Sequence, residues 1–351
     1  MSKLPKTMKA LVKARPEPGL ELQTVPVPDI APDEVLIKIH KTAICGTDMH
    51  IWNWDKWAQE TIPVPMITGH EYGGTIAAVG STVKRVKVGD RVSGEGHVVG
   101  HVSRNARAGR FHLDPGSRGI GVNLPGAFAQ YLALPAFNVV PLIHEISMEE
   151  AAILDPLGNA VHTALAFDLV AEDVLITGAG PIGIMAAAVA ARAGARRIVL
   201  TDINDWRLSL ARKVVPGIRT VNPKDEDLWD VALSMGLIEG FDVGLEMSGA
   251  KAAFDQMLEV MIPGGNIALL GIPPEPFEVD FSKFVFKSLT LKGIYGRQMF
   301  ETWYKMLAML DSGLNLKPLI THRFSALDYK KAFAVMNTGK AGKVILDWTG
   351  V

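Results

Sequence analysis

The sequence predicts an α/β protein of two parts, a β-rich domain joined to a doubly wound parallel sheet. Length is the first observation, since 351 residues exceed what one hydrophobic core ordinarily holds. The second is texture up to about Pro141, where short apolar runs are broken by Pro and Gly turns. The third is the change at Asp173, beyond which apolar strands alternate with helical stretches.

In the β-rich part, strands are expected at 8–12, 34–40, 74–79 and 128–134, each bounded by turn residues. Lys87-Val88-Gly89-Asp90-Arg91-Val92 reads as a turn and a strand start that close a small barrel. In the second part, strands are expected at 174–177, 197–201, 242–246, 266–270 and 289–295. Helices between them supply the crossovers that parallel strands require. A helical run at 302–310, the segment Thr321-His322-Arg323-Phe324 and an apolar strand at 343–348 finish the chain. There is no internal repeat and no low-complexity tract.

The composition, 48% apolar and 21% charged with a formal net charge of −1, is that of an ordinary globular protein. Neither a basic nor an acidic excess asks for a partner, so no nucleic acid and no membrane partner is expected. The first residues hold no apolar run of signal-peptide length, and no stretch approaches the roughly 20 apolar residues of a membrane span. The expected address is the cytoplasm. One cysteine cannot form an internal disulfide, which agrees with a reducing compartment.

That cysteine, Cys45, lies in Ile44-Cys45-Gly46-Thr47-Asp48-Met49-His50, and Gly69-His70-Glu71 follows 25 residues later. Alone it would read as an inert apolar side chain. With His50, His70 and Glu71 it points to one catalytic metal site, because thiolate, imidazole and carboxylate hold Zn²⁺ while leaving a fourth position open.

Gly178-Ala179-Gly180-Pro181-Ile182-Gly183 follows a strand and opens an Ala-rich helix at 184–192, and Asp202 stands 19 residues past the last glycine. This context makes it a Rossmann dinucleotide fingerprint. Gly178 permits the tight turn, Gly180 the approach of backbone to pyrophosphate, and Gly183 close helix packing, while the helix N-terminus offers N–H groups to phosphate. Asp202 suits the adenosine ribose hydroxyls and repels a 2′-phosphate, which favours NAD over NADP. Arg207, a turn further on, either meets such a phosphate or packs over adenine.

Together with Gly89-Asp90-Arg91-Val92, these motifs resemble the zinc-dependent medium-chain dehydrogenase/reductase superfamily from about Met8 to the C-terminus. The resemblance implies a GroES-like catalytic domain at 1–153 and 298–351, a Rossmann domain at 154–297, and a homotetramer. By the same matching, Cys45, His70 and Glu71 are the catalytic zinc ligands, and Thr47 and His50 form the proton relay. Asp155 takes the place of a further metal ligand in relatives, acting on the metal directly or through water and the relay. Ile182, Asp202, Arg207, Leu270, Gly271, Ile272, Ile294 and Tyr295 are expected to contact NAD, and His97 to lie near the substrate. Long runs at 41–55, 92–97, 155–162 and 293–306 are similar to the branch that oxidises the 3-hydroxyl of L-threonine to L-2-amino-3-oxobutanoate, on the route towards glycine. The rival readings are a zinc polyol or 2,3-butanediol dehydrogenase and a non-catalytic NAD-binding relative.

One departure stands out. Many relatives hold a structural zinc with four cysteines, and the matching positions here are Gly100, Ser103, Ala106 and Asp114, so a structural site is expected to be absent. The loop at 101–121, with Arg104, Asn105, Arg107, Arg110 and His112, is expected to fold by hydrogen bonds and packing. His101 and His112 read as solvent-facing residues. His40 and His144 receive no role, and Trp52, Trp54 and Trp57 read as packing or a pocket wall.

Overall fold

The apolar run of the strand Glu34–Ala43 buries Val35, Leu36, Ile37, Ile39 and Ala43 and makes it the hub of a seven-stranded sheet. It pairs antiparallel with Glu71–Val79, Tyr131–Pro135 and Lys343–Asp347. A second sheet of three strands orders Glu21–Pro26, Thr7–Lys13 and Met66–Ile67. In this computed structural model, which describes residues 4–142 and 146–351, they belong to one unit comprising Met1–Asp155, Gln298–Trp303 and Ile320–Val351. His144 lies outside the described residues.

The second unit, Pro156–Arg297 and Tyr304–Leu319, is built on a six-stranded parallel sheet. Across it run Arg219–Val221, Arg197–Thr201, Asp173–Thr177, Phe241–Glu246, Met261–Leu269 and Thr290–Gly293. Numbered along the chain this is the order 3-2-1-4-5-6, the doubly wound arrangement with its crevice beside the first strand. All five residues of Asp173–Thr177 are buried, as expected of a strand covered on both faces. The fold is therefore α/β, a sheet-rich first unit and a doubly wound parallel sheet in the second, as the sequence predicts.

The tail at 298–351 does not stay in one piece. The helix Glu301–Asp311 begins in the first unit, but Tyr304–Leu319 groups with the second. There Leu314, Leu316 and Leu319 are buried, and the short turn Lys317–Leu319 packs on the helix Asp205–Val214. Strand Arg219–Val221 was hidden in the sequence because three residues carry too little pattern to see. Among the described residues no helix is long and apolar enough to cross a membrane.

Candidate metal centre and nucleotide site

Cys45 caps the helix Gly46–Asn53, whose third residue, Asp48, turns back so that its Oδ2 accepts the Cys45 N–H at 2.9 Å. That cap fixes the thiol at the mouth of the helix. Gly69 is held at φ +86°, a conformation that side-chain-bearing residues rarely adopt, and a Cβ there would collide with the Phe128 ring. The loop is pinned on its other side by Ala127 and Phe128, whose N–H groups donate to the Gly69 and Thr68 carbonyls at 2.8 and 2.9 Å. His70 and Glu71 follow directly, as the strand Glu71–Val79 begins.

These two loops bring one ligand atom each of Cys45, His70 and Glu71 within 4.8 Å of one another, a spacing that a single ion can bridge. Glu71 Oε1, His70 Nδ1 and Asp48 Oδ1 are buried without a hydrogen-bond partner. Asp48 Oδ1 stands 3.8 Å from His70 Nδ1, too far for a hydrogen bond. Buried acceptors are normally satisfied, so this concentration of unsatisfied ones, in a thiol, imidazole and carboxylate set, fits a bound cation such as zinc. Burial works to lower the His70 pKa, but the charges of Asp48, Cys45 and Asp155 outweigh it and hold it well above its usual value.

A residue absent from the motifs completes the cluster. Lys343, on the C-terminal strand Lys343–Asp347, is buried; its Nζ lies 2.5 Å from Glu71 Oε2 and donates to the Ile44 carbonyl at 3.1 Å. Burial would strip its proton, yet Glu71 and Cys45 overcome that and raise its pKa. The only sequence signal was a lysine opening an apolar strand, where a solvent-facing role is the ordinary expectation.

Thr47 Oγ1 is 3.9 Å from Cys45 Sγ, so its hydroxyl borders the cluster. His50 follows three residues later on the same helix, with Nδ1 2.5 Å from Asp55 Oδ2. Asp155 is buried, and a Cβ on Gly96 would stand 3.8 Å from its Oδ1 and 3.9 Å from the His70 Cβ. Glu95, fully buried, accepts the His97 N–H at 3.0 Å and its Nδ1–H at 2.9 Å through Oε1, and the Trp303 indole N–H at 2.9 Å through Oε2. A carboxylate only accepts, so His97 carries its proton on Nδ1 and turns Nε2 outward from that bond. Neither Glu95 nor Asp55 was singled out by the sequence, because each acts through a histidine.

In the second unit, Gly178 has φ +93° and its N–H donates to the Thr201 carbonyl at 2.8 Å. Gly180 caps the helix Pro181–Ala193, with nothing within 4 Å of where a Cβ would sit. That open face and the free N–H groups of the first turn are what a pyrophosphate needs. Gly183 packs against the Gly178 carbonyl, which a Cβ would overlap. Asp202 Oδ2 accepts the Ala179 N–H and Oδ1 the Asn204 N–H, both at 2.8 Å, while Arg207 stands 3.8 Å from Oδ2. Asp202 is thus locked beside the glycine turn. Ile272 and Tyr295 are exposed and Ile294 is buried; Leu270 and Gly271 donate their N–H groups to the Glu246 carbonyl, each at 3.0 Å.

Residues 31–144 match the alcohol dehydrogenase GroES-like domain, and residues 181–312 match the zinc-binding dehydrogenase domain. The L-threonine 3-dehydrogenase of Ruegeria pomeroyi is 65% identical over 342 residues, covering 97% of this chain and 100% of that protein. The chain belongs to the zinc-binding dehydrogenase family. The L-threonine 3-dehydrogenase of Burkholderia ambifaria is 61% identical over the same share of this chain and 100% of its own. Among crystal structures, galactitol-1-phosphate dehydrogenase from Escherichia coli is similar with a TM-score of 0.89 at 26% identity, over 97% of this chain and 100% of that one.

Within this family's fold, the lobe at the four positions without cysteine is organised by one carboxylate. Asp114 Oδ2 accepts the Gly100 N–H at 2.7 Å, Oδ1 accepts the Gly116 N–H at 3.2 Å, and the Ser103 hydroxyl also bonds to it. Ser103, led by its hydrogen bond, and these backbone donors hold the Asp114 carboxyl below the usual carboxylate range. Ser103 in turn caps the turn Arg104–Arg107, and Asn105 donates to the Leu113 carbonyl at 3.0 Å. His101 is exposed and packs edge-on against Phe111 and Phe137, while His112 is half-buried.

Proposed function

We propose that this dehydrogenase is an L-threonine 3-dehydrogenase, oxidising the 3-hydroxyl of L-threonine to L-2-amino-3-oxobutanoate with NAD. The observation that carries the substrate is identity of 65% over the full length of a protein bearing that activity, with the thiol, imidazole and carboxylate set intact. On this reading Cys45, His70 and Glu71 hold one catalytic zinc per chain, with Asp155 beside them acting through water. When bound, zinc supplies a Lewis acid that lowers the pKa of the substrate hydroxyl. When bound, NAD supplies the hydride acceptor.

The chain's own residues do the rest. Thr47 receives the hydroxyl proton and His50, exposed at its far end, returns it to water, imidazole being suited to proton transfer near neutral pH. His97, fixed by Glu95, orients the substrate through Nε2. Lys343 offsets the charge of Glu71 and so keeps the anionic set compatible with burial. Gly178, Gly180, Gly183 and the first turn of Pro181–Ala193 cradle the pyrophosphate, Asp202 accepts from the adenosine ribose, and Ile182, Arg207, Leu270, Gly271, Ile272, Ile294 and Tyr295 line the remaining cofactor path. The same reading makes the enzyme a cytoplasmic homotetramer. Support for assembly comes from the sheet-edge strand Thr290–Gly293, exposed throughout beside exposed Phe281, Val285 and Phe286.

The test is NADH formation with L-threonine, 2,3-butanediol and sorbitol in one zinc-loaded preparation and a chelated control. Threonine-dominated, chelator-sensitive turnover is expected. Preference for the diol or for sorbitol would move the chain to the polyol branch, and no turnover on any of them would make it a binding protein.

A further inference from the structure

His50 stands at the end of a helix whose geometry is fixed from outside by a residue the motif does not contain. The helix Gly46–Asn53 closes at Trp54, in the left-handed conformation at φ 55°, and this sharp exit sends Asp55 back alongside His50. Asp55 then does two things at once. Its Oδ1 accepts the Ala58 N–H at 3.0 Å, capping the next helix, Lys56–Thr61, and its Oδ2 meets His50 Nδ1 at 2.5 Å. The Trp57 ring packs edge-on against the imidazole at 5.8 Å, and Gln59 ties the turn by donating to the Trp54 carbonyl at 2.8 Å. The ring is therefore held on two sides although more than half of its side-chain surface is exposed.

A mobile surface histidine samples both tautomers, whereas one bonded to a carboxylate cannot. The carboxylate accepts only, so Nδ1 carries a proton and Nε2 is the nitrogen with the free lone pair. We propose that Asp55 is the positioning residue of the proton path: it fixes Nε2 of His50 as the accepting atom and supplies the counter-charge for the imidazolium formed there. This rests on the reading of Thr47 and His50 as the relay. The hydroxyl proton arrives at Nε2, His50 becomes imidazolium with Nδ1–H still bonded to Asp55, and the Nε2 proton then leaves to bulk water. Asp55 stays ionised throughout, and no electrons move at this pair. Burial works to raise the Asp55 pKa, but the Ala58 N–H and then His50 outweigh it and keep the carboxyl below its usual range, so the anion is present at working pH. Other charges on the elements around His50 are Asp48 on its own helix, Lys56 and Glu60 on the following one, and Lys330 and Lys331 on the helix Tyr329–Met336, which packs against its own.

The decisive comparison is full-length, zinc-loaded wild type against Asp55→Asn, Asp55→Glu, His50→Gln and the double variant His50→Gln/Asp55→Asn, assayed with L-threonine from pH 6 to pH 10 (a span of about four units that begins just below the ordinary imidazole range). Asparagine caps a helix as well as aspartate does, so Asp55→Asn keeps the Lys56–Thr61 turn through its oxygen and turns an amide N–H, in place of the anionic acceptor, towards His50. At pH 7 its kcat should fall about tenfold with KM for threonine and NAD unchanged. The deficit should shrink as pH rises and on adding imidazole buffer, because solvent bases then take the proton. Asp55→Glu should recover part of the loss, and Asp55→Asn should add nothing in the His50→Gln background. An unchanged kcat, a deficit equal at every pH and buffer concentration, or additive losses in the double variant would each overturn the proposal. Absence of threonine turnover in wild type would instead sink the substrate reading, so the two failures are told apart.

Discussion

Two loops of the first unit treat buried polar atoms in opposite ways. Around Cys45, His70 and Glu71, three side-chain atoms, Glu71 Oε1, His70 Nδ1 and Asp48 Oδ1, are buried with no hydrogen-bond partner, while Glu71 Oε2 meets only Lys343. In the lobe around Asp114, both carboxylate oxygens are engaged by backbone N–H groups and the Ser103 hydroxyl. A buried polar atom left unpaired costs about 1–3 kcal/mol, so a fold tolerates several in one place only when something outside the chain satisfies them. The first loop leaves buried atoms for a ligand to satisfy, and the second satisfies its acid from within the lobe. The same residue types, acid and histidine in a glycine-rich turn, are present in both. What separates them is whether the backbone donors have already been aimed at the acid.

The strongest way to break this contrast is Cys45→Ser. It should remove zinc from the purified protein and lower threonine turnover by about three orders of magnitude, since the harder hydroxyl is a poor zinc ligand at neutral pH. Metal analysis and NADH formation read both, and full zinc with full activity would mean the unsatisfied cluster serves something else. Next in size is Lys343→Met. In chelated protein it should cost about 3 kcal/mol by denaturant unfolding, because Glu71 is left as an unpaired buried charge. Loaded with zinc, the variant should lose less, as Glu71 then keeps a cation; an equal loss in both forms would mean that Lys343 does not act through Glu71.

Asp114→Ala sharpens the other side. Its melting temperature should fall while zinc content and kcat/KM stay at wild-type values. The carboxyl is depressed in the folded state, so its contribution is present above the unfolded pKa and is lost as pH falls through the lower folded value. The gap in melting temperature between wild type and variant should accordingly close in acid; lost zinc or activity would show that the lobe is not independent of the metal centre.

The smallest effect tests whether a buried cation follows the same rule. Lys13 is buried with Nζ donating to the Glu17 and Gly19 carbonyls at 2.7 and 2.8 Å and standing 4.7 Å over the Trp54 ring. Burial, partly offset by Glu17, lowers its pKa from 10.5 to about 8. Between those values the unfolded chain binds more protons than the folded one, so stability rises with pH across the window. Lys13→Met should flatten that rise in thermal melts taken from about pH 7 to about pH 11, a span that brackets the window; an unaltered slope would mean another group titrates there.

Much of this was legible without coordinates. The strands at 34–40, 197–201 and 242–246 correspond to Glu34–Ala43, Arg197–Thr201 and Phe241–Glu246, because long apolar runs bounded by turns carry their own period. The strand expected at 128–134 begins only at Tyr131, since Phe128 and Ala129 are committed to bonds with the Gly69 loop and the first strand. The helix carrying Thr47 and His50 went unseen, being eight residues with a weak apolar face. Trp52 and Trp54 proved to be packing elements, Trp52 stacked on Phe333 and Trp54 capping its helix beside Lys13.

By itself, the sequence determined the α/β class, the glycine turn that opens a nucleotide helix, and the thiol, imidazole and carboxylate types of a metal set. Those are local properties, written in spacing, period and the conformational freedom of Gly69 and Gly178. Only tertiary structure decided that Lys343 meets Glu71, that Glu95 and Trp303 lock His97, and that Asp114 accepts the Gly100 and Gly116 N–H groups. These pairs lie on separate elements or are joined by a turn whose direction no local pattern encodes. Their energies come from burial, which exists only once the chain has closed around them.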